Sequence, residues 1–207
     1  GSLRFAKKHG FEKYVLHVKG MEIPNHDPRA YAGLATTYAV SARGASHTES
    51  DMHTIDIGID VPSLGIKSSD RLSDEGKGII AAKNQDFRAF HDSMILCHFP
   101  EVPPELMVHL LNLATGSSYS IGDILTTGAR IVNIKRLLNI RFGLTPFHDR
   151  LPDALLKPLP ESVIEDFVPD VEKQLDDYYR YRKWDSISGL PADDELERLK
   201  INDELEK

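Results

Sequence analysis

The chain has 207 residues, 41% of them hydrophobic and 28% charged, which is enough apolar material for one good-sized core or two small ones. Its 32 acidic residues outnumber its 25 Lys and Arg residues, and the formal net charge of −7 argues against a nucleic-acid-binding protein, which would present a basic face. A single cysteine excludes an internal disulfide. No apolar run approaches the roughly 20 residues that cross a bilayer. The sequence therefore predicts a soluble, cytoplasmic protein without a membrane segment.

The first 44 residues predict short elements followed by one helix. Residues 3–9 form a short helix that ends at Gly10, and residues 14–18 alternate as a short strand does, with an extended segment up to Pro24. Asp27 as N-cap and Pro28 as first helical residue then begin a helix rich in small side chains that ends at Gly44. Residues 1–26 are therefore a lead-in of strand and turns.

Residues 48–73 are polar and rich in turn-forming residues, which predicts a solvated insertion. A helix follows from about Glu75, and its apolar residues recur at intervals of three and four: Phe87, Phe90, Met94 and Cys97. This spacing predicts one buried stripe, with Pro100 ending the helix just past the thiol. Buried cysteine in a core helix is the plainer interpretation of this pattern. The alternative is that Asp92 and Cys97 meet a ligand where the helix gives way to a loop.

Four further helices complete a mainly α, irregular multi-helix domain with a short N-terminal strand segment. One runs from Pro104 to Gly116, and a capping box of Ser120 and Asp123 begins a long one that ends at Gly143. Its basic residues, including Arg136, are expected on a solvated face. A proline-rich wrapping segment leads to a closing helix over residues 171–184, whose aromatic residues are expected in the core, and a short charged helix begins at Asp193. We treat 1–207 as one domain, with a helical core over 27–150 and the wrapping segment and closing helix over 151–207.

Four blocks resemble, in the same order, segments of the aldehyde ferredoxin oxidoreductase family: 18–24 (VKGMEIP), 27–29 (DPR), 38–47 (YAVSARGASH) and 92–97 (DSMILC). The last is similar to the Asp-x-x-Gly-Leu-Cys motif of that family, although Ile95 stands where the motif has glycine. Similar blocks continue to about residue 191. The family comprises tungsten or molybdenum enzymes with a bis-pterin cofactor and a [4Fe–4S] cluster. They oxidise aldehydes to carboxylic acids and pass electrons to ferredoxin or a similar carrier.

The resemblance implies roles for four residues. Asp92 would hydrogen-bond the pterin, Leu96 would run beside the cofactor, and Cys97 would supply the last thiolate to iron of the cluster. His47, which follows an Arg-Gly turn, would assist the aldehyde chemistry in the metal pocket, because a histidine pKa near neutrality suits proton transfer. The alternative for His47 is a solvated loop histidine. His53 and His91 are the next candidates for this role.

The resemblance covers only the C-terminal helical part of the family. The β-rich N-terminal domain, a second Asp-x-x-Gly-Leu motif and three further cysteines are missing, and one thiolate cannot hold a cluster that needs about four. The rest of the enzyme would therefore be in the same polypeptide or on another chain. Two other functions stay open: a non-catalytic helical domain that serves interaction or structure, and part of a related aromatic acyl-CoA reductase.

Overall fold

A computed structural model describes residues 1–100, 102–160, 164 and 166–201. Helices dominate, as the sequence predicts, and the named strands form one antiparallel pair, His17–Val18 (β1) with Met21–Glu22 (β2). The α-helices are α1 Ser2–His9, α2 Gly33–Val40, α3 Met52–Asp56, α4 Lys77–Ser93, α5 Pro104–Thr115, α6 Ile121–Arg141, α7 Val171–Arg182 and α8 Asp193–Arg198. Among the described residues, no helix is both long and apolar enough to cross a bilayer. Residues 202–207, which were expected to extend α8, lie outside the described residues.

Helix α4 lies at the centre of the fold and packs against α2, α6 and α7. Two glycines allow the close approach of these helices. A Cβ atom on Gly128 of α6 would lie 1.8 Å from the backbone oxygen of Asp86 in α4, and a Cβ on Gly78 of α4 would lie 2.0 Å from the backbone oxygen of Gln174 in α7. Any larger side chain at these positions would push the helices apart, so both contacts hold α4 in place.

Replacing Gly128 with alanine should therefore destabilise the fold. We expect a loss of about 1–3 kcal/mol of unfolding free energy, the usual cost of overpacking, measured by urea denaturation. Gly122→Ala in the same helix is the matched control, because its Cβ would have only the Ser120 hydroxyl oxygen near it, at 3.6 Å. That control should be neutral or slightly stabilising, since alanine favours helix over glycine. Equal effects of the two substitutions would contradict the proposed close contact.

Helix α2 is shorter than predicted at both ends. Asp27 does not begin the helix, because its carboxylate accepts hydrogen bonds from the Arg29 side chain, at 3.0 Å from Nε and 2.6 Å from Nη2, within a preceding turn. At the other end Ser41 is extended, and the Lys19 ammonium donates to the carbonyl oxygens of Ala39 and Ser41 at 2.6 and 2.9 Å. A local contact between Asp27 and Arg29 at one end and a long-range contact from Lys19 at the other thus accompany the shortened helix.

The expectation that 48–73 is a solvated insertion is wrong for its first part and again at Leu64 and Ile66, which are buried in the main core. Helix α3 buries Met52 and Ile55 in the main core and places Asp56 completely inside. There Asp56 forms an ion pair with Lys77, which is also fully buried, and accepts a hydrogen bond from the backbone N–H of Gly33 at 2.9 Å. This carboxylate therefore joins α3 to the beginnings of α2 and α4.

The predicted solvated face of α6 is also wrong at one residue. Arg136 is buried, and its Nη1 atom pairs with Asp149 at 2.6 Å while Nε donates to the carbonyl oxygen of Gly189 at 3.0 Å. The aromatic cluster of the closing helix is buried as predicted, with Tyr178 and Tyr179 in a second core between α4, α6 and α7. The Arg136 guanidinium, which the sequence pattern assigns to the surface of α6, therefore lies in the protein interior.

Candidate functional site

Helix α4 carries Asp92 in its last turn and ends at Ser93, four residues before Cys97. The backbone N–H groups of Met94 and Ile95 donate to the carbonyl oxygens of His91 and Asp92 at 3.1 and 3.0 Å, which closes the helix. The prediction that Cys97 shares the buried stripe is therefore wrong: Met94 still packs against the core, whereas the thiol is exposed on the following loop. The alternative interpretation, a carboxylate and a thiol beside a helix end, describes the geometry.

Ile95 is the residue that turns the chain out of the helix. Its φ angle is +57°, in the left-handed region that β-branched residues rarely adopt and that glycine adopts without strain. The side chain is 92% exposed, so no packing within the described part of the chain compensates for this conformation. Leu96, which follows, is partly buried against the main core. The backbone at Ile95 therefore has the shape that glycine favours, although isoleucine occupies the position.

The carboxylate of Asp92 is tied to the same loop. His98 lies 2.7 Å from Asp92 Oδ1 through Nε2, and its Nδ1 atom lies 3.4 Å from Asp51 Oδ2. Arg88, one turn before Asp92 on α4, pairs with Asp51 at 2.8 Å and contacts the His98 ring. Burial raises the pKa of Asp51, and the positive charge of Arg88 opposes that rise. The network joins the loop after α4 to the segment that precedes α3.

Asp92 also borders a groove on its other side. The groove lies between the end of α2, α4 and α6, and its polar lining residues include Glu49, Gln85, Asp92, Lys135, Arg136 and Asn139. Almost half of the Asp92 side chain is exposed. Within the described part of the chain, its carboxylate accepts hydrogen bonds only through Oδ1. The second oxygen, Oδ2, is thus available to a group outside these residues.

His47 lies in a cluster of imidazoles at the beginning of a 3₁₀ turn over His47–Glu49. Its ring centroid is 4.8 Å from that of His26 and 6.0 Å from that of His53, and the rings of His26 and His53 stack 5.2 Å apart. Burial, followed by the repulsion of His26, lowers the pKa of His47, and burial likewise lowers the pKa of His53. His47 is therefore held in the neutral form that can accept a proton.

Asp51 lies between the network around Asp92 and the histidine cluster around His47, and it connects the two. It immediately precedes α3, with a φ angle of +44°, and its charge acts on Arg88, His53, His47 and Asp92. An anion in this position offsets the mutual repulsion of the neighbouring cations. The structure therefore gathers histidines, carboxylates and an exposed thiol around the end of α4.

The chain matches a known family model over almost its whole length. The family model for aldehyde ferredoxin oxidoreductase, domains 2 and 3, matches residues 1–201. The chain belongs to the aldehyde ferredoxin oxidoreductase family. It is 33% identical over 205 residues to a tungsten-containing aldehyde ferredoxin oxidoreductase of Pyrococcus furiosus and 31% identical over 197 residues to one of Thermococcus kodakarensis, which cover 97% and 93% of this chain. The chain spans about a third of the length of these curated relatives, 33% and 32%.

Sequence reasoning missed several of the residues that surround the motif of this aldehyde ferredoxin oxidoreductase family member. Arg88 is four residues before Asp92, so helical spacing could have placed both on one face of α4. His98 follows Cys97 directly, and His26 precedes Asp27. Asp51 gave no such signal, since it lies in the segment that reads as a solvated insertion.

Proposed function

We propose that this chain is part of a tungsten-pterin or molybdenum-pterin oxidoreductase that oxidises aldehydes to carboxylic acids and delivers electrons through a [4Fe–4S] cluster to ferredoxin or a similar carrier. The observation that carries the proposal is the segment 92–97. It leaves α4 by a left-handed turn at the motif's glycine position, exposes the Cys97 thiol and leaves one oxygen of Asp92 available. Family membership over residues 1–201 supports this interpretation.

The donor groups suit their proposed roles. An exposed thiol can lose its proton and bind iron, which prefers soft sulfur ligands. The carboxylate of Asp92 can accept hydrogen bonds from pterin N–H groups, and a charged acceptor makes such bonds stronger. Cys97 supplies one thiolate of about four, so the remaining ligands would come from the rest of the enzyme. When bound, the metal and pterin supply the oxidation chemistry and the cluster supplies electron transfer.

The protein's own residues would position the substrate and move protons. Conversion of an aldehyde and water into a carboxylate releases protons together with two electrons. In the proposed reaction, a neutral His47 ring nitrogen accepts one of these protons, since the pKa of the ring is lowered by burial. Asp51 stabilises the imidazolium that forms, because its charge favours protonated His47.

Cys97→Ser in the complete enzyme tests the proposal. Serine keeps the volume but loses the thiolate, so we expect loss of cluster iron with an unchanged circular dichroism spectrum, because the side chain is exposed and outside the helix. Asp92→Asn should instead weaken pterin retention while most iron stays. Ser93→Ala, at the exposed neighbouring position, is the control. Iron content that is unchanged in Cys97→Ser would contradict the proposed ligand role.

A further inference from the structure

Three side chains beside the motif converge on one point. His91, Asp92 and His98 each offer one ligand atom, and these atoms all lie within 4.8 Å of one another. The distance from Asp92 Oδ1 is 2.7 Å to His98 and 3.9 Å to His91. The rings of the two histidines are 5.0 Å apart and nearly perpendicular. Within the described residues, no other set of His, Cys, Asp and Glu converges in this way.

His91 provides the second observation. Its side chain is only 2% exposed, and its Nδ1 atom has no hydrogen-bond partner among the described residues. A buried polar atom without a partner is destabilising, so such an atom calls for an explanation. A neutral imidazole with a free lone pair is the form that binds metal ions.

We propose that His91, Asp92 and His98 bind a divalent transition-metal ion such as Zn²⁺, distinct from the tungsten and the iron of the proposed function. Two imidazole nitrogens and one carboxylate oxygen are ligands that suit Zn²⁺ and its neighbours. Three protein ligands leave a fourth position open to water or to an added ligand. Binding moves the proton of His98 from Nε2 and brings Nδ1 of His91 toward Asp92 Oδ1.

The surroundings support a cation at this point. When metal binds Nε2 of His98, the proton resides on Nδ1. The Arg88 guanidinium, which contacts Nδ1 in this structure, must then turn away, and the Nδ1–H group faces Asp51 at 3.4 Å, an arrangement in which a carboxylate orients a metal-bound histidine. Asp51 in turn is held by Arg88 at 2.8 Å. Two carboxylates and one guanidinium give the site a net negative charge. The metal uses Oδ1 of Asp92, so the oxygen proposed to meet the pterin is the other one.

The test is a titration of the 207-residue chain with Co²⁺, followed by competition with Zn²⁺. Co²⁺ in a four-coordinate site should give visible d–d absorption that Zn²⁺ abolishes. His98→Gln and His91→Gln should each lower the affinity by more than the about 10- to 100-fold expected for Asp51→Asn, which removes only the orienting carboxylate. His109→Gln, an exposed histidine of α5, and Cys97→Ser are controls that should leave the affinity unchanged.

Two results would overturn the proposal: unchanged affinity in both His91→Gln and His98→Gln, or loss of the absorption in Cys97→Ser, which would assign the metal to the thiol. If His91→Gln fails to fold, His98→Gln decides the matter, since that side chain is 29% exposed and outside the core. The measurement uses neither tungsten, pterin nor cluster. Its failure is therefore distinguishable from failure of the proposed oxidoreductase function.

Discussion

Replacing His47 with glutamine should lower the turnover of the complete enzyme by about 10²- to 10⁴-fold, the usual contribution of a general acid or base. Glutamine retains hydrogen-bonding groups but cannot take up a proton. Tungsten, pterin and iron contents should stay at parental levels, because the proposal gives His47 no role in holding these groups. Steady-state oxidation of an aldehyde, measured at matched metal content, tests this expectation.

The pH dependence gives a second measurement of the same role. Burial and the repulsion of His26 lower the pKa of His47, so the acid limb of kcat/KM should lie below the ordinary histidine pKa of about 6.5. His109→Gln is the control for replacing a histidine at an exposed position. Turnover within a factor of about two of the parent in His47→Gln would contradict the proposed acid–base role and favour the alternative of a loop histidine without a role in catalysis. His53 and His91 would then be tested in the same way.

Asp56→Asn should destabilise the fold by about 3–5 kcal/mol, the usual cost of leaving one partner of a buried ion pair uncompensated. The amide oxygen can still accept the hydrogen bond from Gly33, which leaves the amide NH2 group facing the Lys77 ammonium, so the charge and the acceptor opposite Lys77 are both lost. Urea denaturation of the 207-residue chain measures it. Burial raises the pKa of Asp56 in spite of Lys77, which indicates that desolvation outweighs the attraction of the pair.

A second substitution, at Lys77, shows whether the loss of unfolding free energy in Asp56→Asn comes from the unpaired charge of Lys77. In Asp56→Asn with Lys77→Met, no buried charge is left without a partner, so most of the stability should return. Lys173→Met, which removes one member of the exposed pair with Glu75, is the control and should leave the unfolding free energy essentially unchanged. If the double variant is no more stable than Asp56→Asn alone, the buried pair does not act as described.

Local sequence signals predicted most of the helices, but they did not predict which charged residues of those helices are buried. Pro104 and Gly116 bound α5, and the capping box of Ser120 and Asp123 begins α6, because each of these signals acts within one turn of the chain. The interior position of Arg136 depends on Asp149, and that of Asp56 depends on Lys77. Hydropathy assigns such charged residues to the surface, since their partners lie in other elements.

The residues of the candidate site also divide into those that the sequence motif identified and those that depend on tertiary contacts. Asp92 and Cys97 were found because they stand at the two ends of a recognisable motif, whereas helical periodicity alone put Cys97 in the core. The end of α4 depends on the backbone conformation of Ile95, which a β-branched residue does not predict. The meeting of Asp51, Arg88 and His98 depends on how the segment before α3 packs on α4, a tertiary contact with no sequence period.

Gly78 and Gly128 bring the backbones of α7 and α6 against α4, so α4 can open only when the domain as a whole unfolds. The loop after Ser93 is held in a different way, by side chains: Met94 and Leu96 pack against the main core, and His98 contacts Asp92 and Asp51. These contacts can break without separating the helices, so the loop can open by a smaller fluctuation than α4. In amide hydrogen exchange, we expect slow exchange in α4 up to Asp92 and faster exchange in the loop that carries the exposed Cys97.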